Sequence, residues 1–189
     1  MLLKPGMTKS EIEQFLQGKG DYVQIDHLGR FLGEPGVALD TKKFVFLKLA
    51  VLYEKAKMLN EAAKMYENAA EISIPFAEKI KNYMKETELY VKSGAFDRVE
   101  QATKKAMSQA NTREREEIKI SVKMFYKEQA KACESELRRA QAARFYEKIL
   151  EMGISEQEKA EISEKLLELY KSLGRIHEYN LLEKRIQKL

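Results

Sequence analysis

Residues 44–69 read FVFLKLAVLYEKAKMLNEAAKMYENA, and this stretch decides the fold. Phe46, Leu49, Ala50 and Tyr53 recur at the spacing of one helix face, and Ala62, Tyr66 and Ala69 do so again after a polar break. Two helices joined by a short turn follow, over 41–57 and 60–73. Small residues let the two helices approach closely, while large ones a turn away fill the hole beside them. Phe44–Leu52 is apolar nearly all round, broken only by Lys48, so this helix needs cover on both sides.

Outward from this stretch, strong helix formers dominate from Thr41 to the end, and apolar residues keep recurring three or four apart. The spacing predicts helices over 8–18, 21–32, 41–57, 60–73, 75–93, 96–110, 112–134, 138–152, 155–173 and 175–188. Thr8 with Glu11 and Ser155 with Glu158 read as capping boxes, and Asn111 with Glu114 has the same spacing. Gly18, Gly94, Gly153 and Gly174 stand where helices should stop, because glycine accepts the left-handed backbone there. Nine Gly and three Pro in 189 residues leave too few turns for a sandwich or barrel. The fold class expected is all-α.

Four segments align on their aromatic and small residues. After the first come Tyr83, Thr87 and Tyr90 with Gly94, Phe96, Val99 and Ala106. The third has Tyr126, Ala130 and Cys133 with Ala142, Tyr146 and Ile149; the fourth has Leu166, Leu167 and Tyr170 with Gly174, Ile176, Tyr179 and Ile186. The pattern resembles the tetratricopeptide-repeat (TPR) family, most fully from Phe46 to Ala69. That resemblance implies a right-handed α-α superhelix, a TPR-like solenoid of about four helical hairpins over 41–189. Copies start near 43, 80, 123 and 160, longer than the usual 34-residue repeat. Glu86, Thr103 and Glu183 stand where a large apolar residue is usual.

Residues 1–40 lie outside the repeat. The helix at 21–32 gathers Tyr22, Ile25, Leu28 and Phe31 on one face, and Glu34-Pro35-Gly36 then turns the chain. This segment is expected to form an N-terminal cap on the free side of the apolar helix at 41–57.

Composition narrows the function. Hydrophobic residues at 44% with 34% charged fit a folded domain and argue against disorder. Segments 1–41, 42–75, 76–111, 112–153 and 154–189 carry net charges of −2, +2, +2, +2 and 0, so no basic tail or stripe marks a nucleic-acid or membrane binder. The single Cys133 excludes an internal disulfide, and neither a leader nor a membrane-length apolar run is evident, so a soluble cytoplasmic protein is expected.

Each catalytic template fails on a named residue. His177-Glu178 begins a zinc-protease helix, but Leu181 replaces the second histidine. Gly18-Lys19-Gly20 begins a dinucleotide fingerprint, but Val23 replaces the third glycine. Cys133 falls at a packing position and reads as a packed thiol, and His27 as a surface or hydrogen-bonded histidine. No catalytic residue, cofactor site or metal site is expected, and the chain does not read as an enzyme.

What remains is a surface. In a TPR-like stack the first helix of each hairpin lines the concave groove, which places Lys81, Met84, Glu88, Val91, Met124, Lys127 and Lys131 there. Such a mixture suits a protein or peptide partner with acidic and apolar anchors. Leu47 and Val51, and likewise Met84 and Glu88, stand where the family's carboxylate clamp needs Lys and Asn, so the clamp is absent and a chaperone-tail adaptor is not expected. The reading is a non-catalytic interaction scaffold; its alternative is a helical-repeat RNA-binding protein, which the near-neutral segments disfavour. The C-terminal helix, with Tyr179, Leu182, Ile186 and Leu189 on one stripe and Leu181 off it, is a candidate homodimer surface.

Overall fold

A computed structural model describes residues 3–187. Among the described residues the chain forms ten α-helices and no strand. They are α1 (Lys9–Leu16), α2 (Asp21–Leu32), α3 (Leu39–Lys55), α4 (Leu59–Ile72), α5 (Phe76–Ser93), α6 (Phe96–Gln109), α7 (Thr112–Ser135), α8 (Arg139–Leu150), α9 (Glu156–Leu173) and α10 (Ile176–Ile186). Helix periodicity in the sequence therefore located every element. The chain divides into two compact units, one ending at Ile118 and the other beginning at Lys119, within α7. The expected cap boundary near residue 40 falls inside the first unit.

In the first unit α2, α3, α4 and α5 each pack on the next helix in sequence, ending with α5 on α6. The apolar side of α3 meets the N-terminal segment: Ile12 and Leu16 of α1, Leu28 and Phe31 of α2, and Val45, Leu49 and Leu52 of α3 form one core. Lys48 reaches Glu13 at 3.1 Å and Lys9 reaches Asp40 at 2.5 Å, tying α1 to α3. In the second unit α9 packs on α8 and α10. Tyr126, Ala130 and Cys133 of α7 are buried there, as are Tyr146, Ile149, Ile162, Leu166 and Tyr170. Helix α10 buries no residue: Tyr179 and Leu182 are half-covered and Leu181 is exposed. Leu189 of the expected stripe lies outside the described residues.

Caps follow the sequence with two corrections. Thr8 and Glu11 form a reciprocal box, as do Asn111 and Glu114. Ser155 accepts from the Glu158 N–H at 3.2 Å, but the Glu158 carboxylate turns away to Lys123 at 2.9 Å and to Lys127, so this box is half-formed. Gly153 has no left-handed backbone; α8 stops earlier, at Leu150, with Glu151 still in the helical region.

One helix–helix turn recurs four times. Lys57, Gly94, Leu137 and Gly174 all adopt the left-handed region, with φ of 61, 73, 58 and 68°. The residue after each, Met58, Ala95, Arg138 or Arg175, has φ between −82 and −86° and ψ between 59 and 67°. Its N–H donates to the carbonyl five residues back, on Tyr53, Tyr90, Cys133 or Tyr170, at 2.8–3.0 Å. These are helix C-terminal closures of the Schellman type. Their intervals are 37, 43 and 37 residues, equal to the offsets between the aligned sequence segments.

A shift of 80 residues therefore superposes both turns of the first unit on both turns of the second. Side-chain ties obey the same shift. Tyr66 donates to Glu54 at 2.8 Å and Tyr146 to Glu134 at 2.9 Å; Lys43 meets Glu78 at 3.0 Å and Lys123 meets Glu158 at 2.9 Å. Each unit is built on one copy of the same two-turn block.

The turns differ in how they reach the left-handed backbone. A Cβ at Gly94 or Gly174 would meet nothing within 4 Å, so the cost of a side chain there is conformational rather than steric. Gly94→Ala and Gly174→Ala should each lower stability by about 1 kcal/mol, read as a lower urea midpoint at unchanged slope. An unchanged midpoint would show that the turn relaxes out of this conformation.

Candidate functional site

The seven surface residues expected from the sequence divide between the units. Lys81, Met84, Glu88 and Val91 belong to α5 of the first, and Met124, Lys127 and Lys131 to α7 of the second. Lys81 and Lys131 are exposed, as is Met124, and Met84 is half-buried. Glu88 is already bridged by Lys85 at 2.8 Å and Lys92 at 2.5 Å, and Lys127 by Glu158. Val91 is a correction: it is 1% exposed and belongs to the core. Its spacing of three from Glu88 places it on the expected stripe, but α5 is flanked by both α4 and α6 and that end of the stripe is covered.

The geometry gathers a different set. Lys64, Glu67 and Glu71 on α4, Tyr83, Glu86 and Tyr90 on α5, and Arg98, Gln101 and Lys105 on α6 are each spaced three and then four residues apart. Each triplet is one helix stripe, and the three stripes meet. They enclose a cleft of about 270 Å³ lined by Lys64, Glu67, Glu86, Tyr90, Arg98, Gln101 and Lys105.

Glu86 is the floor of this cleft. Its side chain is 3% exposed, its Oε1 lies 3.8 Å from the Lys105 ammonium, and its Oε2 has no hydrogen-bond partner among the described residues. Burial pushes its carboxyl up to about 8, aided by the nearby charges of Glu67 and Glu71 and opposed by Lys105. Lys105 is committed to Glu67, and although burial disfavours its charge, the Glu67 hydrogen bond and the Glu86 charge hold its pKa above the ordinary lysine value. At the mouth, Arg98 lies 5.4 Å over the Tyr90 ring and donates weakly to the Tyr90 hydroxyl at 3.4 Å. Arg98 and Lys64 are exposed, and neither forms an ion pair among the described residues.

No family model and no curated protein matches the sequence. The 80-residue repeat of the turn and its ties allows one unit to be compared with the other. Eighty residues beyond Glu86 stands Leu166, 1% exposed, which fills the corresponding position in the second unit with apolar bulk. There Glu147, the counterpart of Glu67, accepts from Tyr170 and Arg175, both at 2.9 Å. One copy of the block thus packs a leucine where the other holds a buried carboxyl.

The remaining candidates are placed plainly. Cys133 is fully buried, with Gln129 and Gln141 each 3.9 Å from its sulfur. His27 stacks edge-on against Phe15 at 5.0 Å, and His177 is exposed. Among the described residues no three His, Cys, Asp or Glu side chains are gathered as a metal-binding set, and no helix is long and apolar enough to cross a membrane.

Proposed function

We propose that this chain is a non-catalytic, cytoplasmic interaction scaffold: a TPR-like α-α superhelix of about four hairpins that holds a protein or peptide partner against the first helices of its repeats. The observation that carries this reading is the recurrent turn at 37, 43 and 37 residues, with its repeated tyrosine–glutamate tie. Tandem helix pairs of this kind present side chains of one register along successive modules, which suits an extended partner. Exposed Lys81, Met124 and Lys131 are the anchors available on α5 and α7, since Glu88 and Lys127 already have partners within the chain.

Affinity capture with the wild-type chain, followed by Lys81→Glu in one variant and Met124→Glu with Lys131→Glu in another, tests the reading. Loss of the captured partner at unchanged helical circular dichroism is expected. A partner set that survives both variants would remove this surface from consideration.

A second reading is favoured by the cleft itself, because a buried carboxyl titrating at about 8 has the property wanted in a general acid. It stands second because no Ser, Cys or His lines the cleft, and its Lys105 is already ion-paired with Glu67.

A further inference from the structure

We propose that the cleft between α4, α5 and α6 is a binding site for an aliphatic carboxylate, which accepts a hydrogen bond from the Glu86 carboxyl on its floor and is flanked by Arg98 and Lys64 at its mouth. The proposal does not depend on the repeat-scaffold reading, because the cleft lies wholly within the first unit.

Three observations carry it. First, Glu86 is 3% exposed and lines an open cavity, and its Oε2 has no hydrogen-bond partner among the described residues, Oε1 keeping only a long 3.8 Å contact with Lys105. A buried polar group without a partner is costly, and the corresponding site in the second unit avoids that cost with Leu166. Second, the mouth carries two cations not committed within the chain. Lys105 is ion-paired with Glu67, whereas Arg98 and Lys64 form no ion pair among the described residues, and with Glu86 protonated the three cations Lys64, Arg98 and Lys105 stand against the two acids Glu67 and Glu71. Third, the donors suit the ligand. Arg98 presents a planar fork whose spare N–H groups match the two oxygens of a carboxylate. A protonated Glu86 adds an O–H donor, and an acid–carboxylate hydrogen bond of this type is short and strong. A cleft of about 270 Å³ sits just below the range typical of small-molecule pockets, enough for a carboxylate and a few carbons.

The protonation state gives the site a pH dependence of known sign. The charged and titratable groups around Glu86 are Lys64, Glu67 and Glu71 from α4, Tyr83 and Tyr90 from its own helix, and Lys105 with Arg98 from α6. With its carboxyl pushed up to about 8, Glu86 changes charge between pH 7 and 9. Above that pH an ionised floor repels a carboxylate. If only the protonated form binds, affinity should fall about tenfold from pH 7 to pH 9.

Calorimetry with the full chain tests this, using glutarate, a capped alanine peptide bearing a single glutamate, and inorganic phosphate as probes. Binding of glutarate or of the peptide, weakening about tenfold between pH 7 and 9, is expected, and whichever binds more tightly identifies a free acid or a partner's side chain as the source. Arg98→Ala should weaken it by about tenfold. Glu86→Gln, which keeps a donor and removes the titration, should bind within about threefold of wild type with no pH dependence. No binding of either carboxylate at ~10 mM, tighter binding of phosphate, or an unchanged pH profile in Glu86→Gln would each overturn the proposal.

Discussion

Deletion of residues 1–40 should leave a protein that aggregates, or that melts more than about 10 °C below the full chain. The segment supplies Ile12, Leu16, Leu28 and Phe31 to the core of the first unit, each at 2% exposure or less. At roughly 1.5–3 kcal/mol for each buried side chain the gross loss is on the order of 10 kcal/mol, an upper bound comparable with the whole stability of an ordinary domain. The deletion also uncovers Val45, Leu49 and Leu52 on α3 while α4 continues to cover the opposite side, creating a contiguous apolar patch that monomers rarely carry. Light scattering and a thermal melt decide the matter. A truncated chain that stays monomeric and melts like the original would mean that this core contributes nothing to the fold.

That expectation was legible from the sequence because it needed only one helix. Phe44–Leu52 is apolar on too many sides for a helix covered once, and a second amphipathic segment lies immediately before it. The repeat offsets were legible for a related reason: packing residues keep their spacing even where the turn residue changes. Lys57 and Leu137 show the value of this, since neither is a glycine and neither announces a left-handed turn. Their place follows from the copies around them.

What the sequence concealed depends on three helices at once. Lys64/Glu67/Glu71, Tyr83/Glu86/Tyr90 and Arg98/Gln101/Lys105 each look like a solvated face when read along one helix. Only their convergence, with α4 and α6 packed on either side of α5, turns Glu86 from a surface glutamate into a buried one. The signal available was its departure from the apolar residue usual at that position, and Leu166 at the equivalent place in the other block gives that departure its meaning. Val91 misled in the opposite sense, because helical spacing assigns a stripe but cannot say how far along it the neighbouring helices reach. Glu158 misled because a capping glutamate has alternatives when two lysines lie within reach.

Glu86→Leu should make the chain more stable, by an amount that grows with pH. The variant places in the first unit the residue that already packs in the second, and it removes a buried carboxyl whose Oε2 has no hydrogen-bond partner among the described residues, a cost of about 1–3 kcal/mol. Lys105 keeps Glu67 as its partner, so the substitution strands no cation. In the unfolded chain Glu86 ionises near 4.5, whereas in the folded protein burial pushes it up to about 8. Between those values the folded state holds a proton that the unfolded state has released, so the stability of the wild type falls as pH rises through this window and levels off above it. The stabilisation that a neutral Glu86 permits is present below pH 4.5 and lost by about pH 8, a difference on the order of 5 kcal/mol at 1.4 kcal/mol per unit. The leucine variant lacks this term, and the other titrating groups are common to both proteins. Urea unfolding from pH 5 to pH 9 should therefore show two curves that are close in acid and diverge towards alkali, with Glu86→Leu the more stable throughout. Parallel curves would mean that Glu86 is ionised in the folded protein at neutral pH, and that the floor of the cleft is an anion rather than a hydrogen-bond donor.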